Sequence, residues 1–248
     1  MLTVSVVSHG QGGLAQRVLD DLSTMDARLA HVIVTRNVPE AWTPRLAHAS
    51  ARLSVVDNDR PKGFGANHNA AFRACDTDFF AVLNPDLAFR GANLPDVLRA
   101  FDDAAVGVAT PTILDPDGRI ADFARDLMTL PNLARRLAGA APRPGPPAWI
   151  AGMCLVFRSR ALRDVGGFDE RYFLYCEDAD LCDRLALRGW ALSIDPALRV
   201  VHDAQRRSLR SPARFAHHVA SLLRYWGAPS FWRRRARLAG TRADGATR

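Results

Sequence analysis

No stretch of this 248-residue chain approaches the roughly 18 apolar residues that a membrane-spanning helix needs. The first residues, Met1-Leu2-Thr3-Val4-Ser5-Val6-Val7, have no basic segment of the secretory type and read as a first strand. Cysteine is scarce too. Cys75, Cys154, Cys176 and Cys182 form no Cys-x-x-Cys pair and no dense framework, which excludes a small disulfide scaffold and leaves reduced cytosolic thiols as the simplest reading. There is no internal repeat, so a solenoid is excluded. Acidic residues are outnumbered 26 to 33 by basic ones, and the formal charge of +7 favours anionic partners such as nucleic acid, phospholipid headgroups or phosphorylated small molecules. The expectation is a soluble or surface-bound cytoplasmic protein.

What is present is a hydrophobic fraction of 48%, enough for one substantial core. Short apolar runs alternate with helical patterns, the form of repeated strand-helix-strand units and a mostly parallel α/β sheet flanked by helices. Strands are expected at residues 2–8, 31–35, 53–56, 79–83 and 106–110. Helices follow at about 14–22, 65–74 and 94–101. Asp115-Pro116-Asp117-Gly118 is a turn, and the prolines at 142, 144, 146 and 147 make 138–147 an exposed loop. A short helix from Ser159, a helix over 178–188 and closing strands at 191–195 and 199–201 complete the catalytic part, 1–208. A C-terminal helix and basic tail occupy 209–248.

Two acidic clusters bracket the middle of the chain. Asn84-Pro85-Asp86 closes the apolar run 79–83, and the C-terminal mouth of a buried strand is where α/β sheets place ligand chemistry. Asp86 is either a turn former or a hard oxygen ligand for magnesium or manganese, with water and a diphosphate in the remaining positions. Glu177, Asp178 and Asp180 open a helix, where the helix dipole stabilises carboxylates whatever their function. The lead-in from Gly166 to Tyr175 joins a glycine hinge to aromatics suited to an acceptor pocket. Asp178 placed there takes a proton from an attacking hydroxyl, with Glu177 and Asp180 orienting it or the acceptor.

Between a strand and a helix, Lys62-Gly63-Phe64-Gly65-Ala66-Asn67-His68-Asn69 is either a capped turn or a phosphate cradle in which Lys62, Asn67 and Asn69 add charge and donors. His202 ends Val200-Val201-His202. It is structural or completes a metal shell, while Arg206 and Arg207 meet phosphate oxygens.

These residues resemble family 2 glycosyltransferases of the GT-A fold, and among them the bacterial rhamnosyltransferase-like branch. The resemblance spans about residues 1 to 208. It is densest in GMCLVFRSRALRDVGGFDERYFLYCEDADLCDRLALRGW from Gly152 to Trp190, and includes LNPD at 83–86 and KGFGANHNAAF from Lys62. It implies an inverting transfer of a sugar, rhamnose from a dTDP donor foremost, to a hydroxyl of a cell-surface or lipid-linked glycan. Asp86 and His202 are then metal-site residues and Asp178 the base, with Mn2+ or Mg2+ as cofactor. Donor contacts are expected at Ser8, His9, Arg36, Lys62, Gly63, Asn69, Asn84, Arg206 and Arg207. Arg36 stands where the family often has an aspartate, and His9 and Lys62 also depart from its pattern, adding positive charge near the diphosphate.

After Pro212, Phe215, Val219, Leu222, Leu223 and Trp226 recur at helical spacing, and Trp232-Arg233-Arg234-Arg235-Ala236-Arg237 follows. This is either a helix packed on the catalytic part or one lying on an anionic membrane, the inner face of the plasma membrane for a lipid-linked acceptor. Residues 241–248 are expected to lack structure. The rival functions are a nucleic-acid-binding protein, whose affinity falls steeply with salt, and an inactive nucleotide-sugar-binding scaffold.

Overall fold

The computed structural model describes residues 1–47, 50–141, 143, 145–203 and 212–245, with only the backbone of 212–214 and 241–245. The chain runs β1 (Leu2–Ser8), α1 (Gly12–Leu22), β2 (Leu29–Arg36), β3 (Arg52–Asp57), α2 (Phe64–Arg73), β4 (Phe79–Leu83) and β5 (Leu87–Ala88). A 3-10 helix (Leu94–Asp102) leads to β6 (Val106–Leu114), β7 (Ala124–Arg125), α3 (Leu130–Leu137), β8 (Trp149–Ile150), β9 (Cys154–Arg158) and α4 (Ser159–Asp164). Then come α5 (Glu177–Leu187), β10 (Ala191–His202), α6 (Pro212–Gly227) and α7 (Pro229–Gly245).

The eight-stranded sheet has the order β3-β2-β1-β4-β9-β6-β10-β5. β1 pairs in parallel with β2 and β4, β2 with β3, and β6 with β10, whereas β9 runs against both β4 and β6. The near-continuous burial of β1 and β4 is explained by this position, since helices cover both faces of a central parallel strand. α1 turns Ala15, Val18, Leu19 and Leu22 into that core.

Local chemistry moves three boundaries. Pro95 in the first turn of the segment 94–102 removes a backbone donor, and a 3-10 helix stands where an α-helix is expected. The two closing strands are one, β10, with its register broken between Asp195 and Arg199; the Asp195 carboxylate accepts the freed N–H groups of Ala197 and Leu198. α3, for which the pattern gives no warning, is begun by Thr129, whose side chain accepts from Asn132 N.

A second apolar cluster lies on α5. Tyr172, Cys176, Ala179 and Cys182 meet Trp149 from β8 and Tyr225 and Phe231 from α6 and α7. Burying each of these rings contributes roughly 1.5–3 kcal/mol, which fixes the C-terminal helices against α5. The helix expected over 213–226 is α6, and α7 runs on through 241–245.

Candidate active site

β4 and β9 bring two distant motifs to one sheet edge. Their ladder ends at Leu83 opposite Cys154, and just beyond it Asn84 N donates to Met153 O at 2.9 Å. One residue further back, Gly152 N donates to Asp178 Oδ2 at 2.9 Å. Asp86, just past β4, and Asp178, on α5 and bonded to the Gly152 just before β9, therefore lie toward the same edge of the sheet.

From β4 the chain crosses to the end of β10, where Asp203 N donates to Asp86 O at 3.0 Å and His202 lies opposite Leu87 of β5. This sets Asp86 Oδ1 3.0 Å from His202 Nε2, with Asn84 Nδ2 3.5 Å from the same nitrogen. Both side chains of the pair are almost buried, yet Asp86 Oδ1 has no satisfying hydrogen bond. A buried carboxylate oxygen without a donor, facing an imidazole nitrogen, fits a divalent cation held by two protein ligands. Among the described residues no third His, Cys, Asp or Glu completes a cluster.

Asp178 is positioned by backbone alone. Its Oδ1 accepts from Ala179 N at 2.8 Å, its Oδ2 from Gly152, and the preceding Tyr175 and Cys176 adopt left-handed φ angles of 73° and 64°. Such angles cost about 1–3 kcal/mol each for non-glycine residues, and here they turn the chain sharply so that α5 begins at the sheet edge. Burial pushes the Asp178 carboxyl up, opposed by those two N–H groups and by the Arg125 guanidinium. Glu177 beside it is pushed well up, first by burial and then by the charge of Asp178, and its Oε2 has no partner. Of the pair, Asp178 has the two N–H donors that favour a charged carboxylate, and Glu177 has no side-chain donor.

The remaining expected residues divide in two. His9, Lys62 and Asn84 lie at or beside the sheet edge, with His9 Nδ1 3.1 Å from Asn37 Nδ2 and Lys62 exposed. Ser8 is buried and accepts from Gln11 N. Asp180 turns away from Asp178 to pair with Arg184 at 2.7 Å and accept from Ser230 Oγ at 2.9 Å. Arg36 is spent on both oxygens of Asp57, at 2.5 and 2.7 Å, and on Trp42 O. Asn69 clamps Phe168 through its O and N and also donates to Glu170.

Gly63 serves close packing, because a Cβ there would sit 2.8 Å from Phe173 O, and Phe64 N donates to that same oxygen. The glycine loop thus closes onto the aromatic run. Arg206 and Arg207 lie outside the described residues.

Two features escape a sequence reading. Asn37, Asn58 and Asn67, from three separate segments, join side chain to side chain at 2.8 and 2.6 Å and hold Lys62 through its N and O. The second is Arg125 on β7, stacked 4.8 Å from the Trp149 ring centroid and acting electrostatically on Asp178. The alternation of amides and their sequence neighbours carries no period that would reveal either. A cavity of about 650 Å³ lies between this ribbon, α3 and the proline-rich loop; Arg125 and Trp149 line it, and Asp86, Asp178 and His202 do not.

Residues 4–166 match the family model for glycosyl transferase family 2. The chain is 30% identical to N-acetylglucosaminyl-diphospho-decaprenol L-rhamnosyltransferase of Mycobacterium tuberculosis, over 96% of this chain and 91% of that protein. It is 27% identical to rhamnosyltransferase WbbL of Escherichia coli K12, over 91% and 92% of the two. Among solved structures, the mannosyltransferase PcManGT of Pyrobaculum calidifontis, in complex with GDP-Man and Mn2+, superposes with a TM-score of 0.61 at 17% identity, covering 99% of this chain and 79% of that one.

Proposed function

Because the chain belongs to glycosyl transferase family 2, with the GT-A fold and the activity of a glycosyltransferase, we propose a specific reaction for it. Rhamnose passes with inversion from a nucleoside-diphosphate donor, dTDP-rhamnose foremost, to a hydroxyl of a lipid-linked cell-surface glycan. The rhamnosyltransferases among its relatives support the sugar, and the lipid-linked substrate named for one of them supports the acceptor. The observation that carries the mechanism is the meeting of Asp86–His202 and Asp178 at one sheet edge.

Asp178 receives the proton of the acceptor hydroxyl. As it does so, the acceptor oxygen bonds to the anomeric carbon, and the bond from that carbon to the diphosphate oxygen breaks with its electron pair. Gly152 N and Ala179 N keep the carboxylate aimed, and burial favours the neutral form of Glu177 beside it. Asp86 and His202 would hold a divalent cation, manganese or magnesium, whose contribution when bound is to neutralise charge on the departing nucleotide diphosphate. Lys62, and Arg206 and Arg207 beyond the described residues, add positive charge for that diphosphate. No helix among the described residues is long and apolar enough to cross a membrane, and the outward side of α6 and α7 meets an anionic bilayer instead.

The test is slow hydrolysis of dTDP-rhamnose. It is expected to require manganese and to be abolished by Asp86→Ala. A panel of nucleotide sugars that left the melting temperature unmoved, with and without manganese, would overturn the reading.

A further inference from the structure

Arg125 and Arg136 converge on one carboxylate. Their Nε atoms donate to opposite oxygens of Asp122, at 2.9 and 2.7 Å, so two guanidinium charges share a single anion. Arg125 pairs across the β7–β8 ribbon with Trp149, three residues before the Gly152 that holds Asp178. On the other side, the His218 ring on α6 lies 4.7 Å from that of Tyr175, three residues before Asp178. Arg136 is half-exposed and uses only its Nε among the described residues.

These groups strain one another. Burial first, then the charges of Arg136 and Arg125, push the His218 imidazole down, with Asp178 opposing. Burial and Arg136 act in the same direction on Arg125. A bound anion would relieve both Arg125 and His218.

Beyond the cations the surface turns apolar. Leu130 and Leu137 on α3, and Phe215, Val219 and Leu223 on α6, are exposed, and neither helix contains an acidic residue. α6 is tied to the segment leading into α3 where Trp226 Nε1 donates to Met128 O at 2.7 Å. Outward from Asp178 the order is therefore base, cations, apolar surface. A lipid-linked acceptor carries its groups in the same order: hydroxyl, diphosphate, hydrocarbon.

We propose that Arg125, Arg136 and His218 form a subsite for the diphosphate of a lipid-diphosphate-linked acceptor, distinct from the donor's diphosphate at Asp86 and His202. The proposal rests on the transferase reading above. Charge-assisted hydrogen bonds to the diphosphate position the acceptor sugar over Asp178, and the hydrocarbon leaves along α3 and α6.

The experiment is a calorimetric titration of the full chain, with manganese and saturating dTDP filling the donor site. Geranyl diphosphate is expected to bind, and to bind about tenfold more weakly to Arg136→Gln and to His218→Gln, while dTDP affinity stays unchanged in both variants. Equal affinity for geranyl diphosphate in all three proteins, with dTDP still bound, would overturn the subsite alone. Inorganic pyrophosphate binding as tightly as geranyl diphosphate would overturn its assignment to a lipid-linked ligand. Failure of the wild type to bind dTDP would instead remove the dTDP-donor reading on which the subsite rests.

Discussion

Asp178 and Asp183 stand five positions apart on α5, the first half-buried and the second fully buried, and the fold treats them differently. Asp178 is reached through two left-handed residues and held only by backbone N–H groups, beside a Glu177 with an unpartnered oxygen. Asp183, fully buried, receives the Tyr225 hydroxyl at 2.7 Å and has Arg234 3.8 Å away, while its neighbour Asp180 is satisfied by Arg184 and Ser230. At the sheet edge the chain leaves charge and strain that a ligand completes. On the opposite side of the helix, Tyr225 and Arg234 from the chain's own C-terminal part approach Asp183, whose Oδ1 still has no hydrogen bond. The left-handed backbone that leads into Asp178, and its being held by backbone N–H groups rather than by side chains, are what set it apart from Asp183.

The hardest blow to this contrast comes from Asp178→Asn. The amide oxygen still accepts from Gly152 N, so the fold and dTDP binding should survive, while kcat falls about 10³-fold for want of a base. A loss of less than tenfold would move the base elsewhere. In the wild type, the acidic limb of the kcat/KM profile should lie above the ordinary carboxylate range, because burial raises the Asp178 carboxyl and only its ionised form accepts the proton. Activity must then fall as pH drops through that raised value.

Asp183→Asn probes the other side through stability. Burial pushes the Asp183 carboxyl from 3.8 up to about 7, so the folded protein holds this proton more tightly than the unfolded chain does. The stabilisation is complete below the unfolded value and is lost as pH rises through about 7. Asparagine keeps a partner for Tyr225 and removes the titration. Denaturant curves should lie closest below about pH 4 and separate progressively, by about 4 kcal/mol in favour of the variant near pH 8. Parallel curves at both values would show that Asp183 is not the group releasing the proton. Glu177, raised in the same direction, leaves the variant with a residual slope.

How far this division was legible in the sequence follows from its range. The strand-helix alternation marks the sheet because each element's period is local, and the acidic motif 177–180 announces a helix start for the same reason. Which of its carboxylates points where is decided by Ser230 and Arg184 for Asp180 and by Gly152 for Asp178, contacts of up to 50 positions that no local period encodes. Arg36 shows the same limit: its place at a strand end reads as a donor contact, but Asp57, 21 positions on, occupies its guanidinium. The Asp86–His202 approach, across 116 positions, stood in the residues only as one of two alternatives for each, and the resemblance to known glycosyltransferases chose between them. α3 went unseen because its exposed leucines and arginines bury no face and so give no core-facing stripe.

The smallest effect on stability, and the sharpest test of what the tail does, lies on the outer face of α6. Its inner face is engaged, with Ser221 donating to Leu174 O and Tyr225 to Asp183, so the packing half of the question is met by these contacts. Phe215, Val219 and Leu223 recur at four-residue spacing on the opposite side, and Phe215 and Leu223 are 68% and 62% exposed. Residues that bury nothing contribute little to folding, so Phe215→Ser with Leu223→Ser should change unfolding free energy by no more than about 0.5 kcal/mol. The same pair, inserted into a bilayer interface beside Arg224, Arg233 and Arg235, would contribute both apolar burial and attraction to anionic headgroups. Sedimentation with vesicles containing phosphatidylglycerol should therefore lose about tenfold in partitioning for the double variant, with an unchanged melting temperature. Equal partitioning of both proteins would confine α6 to its structural face.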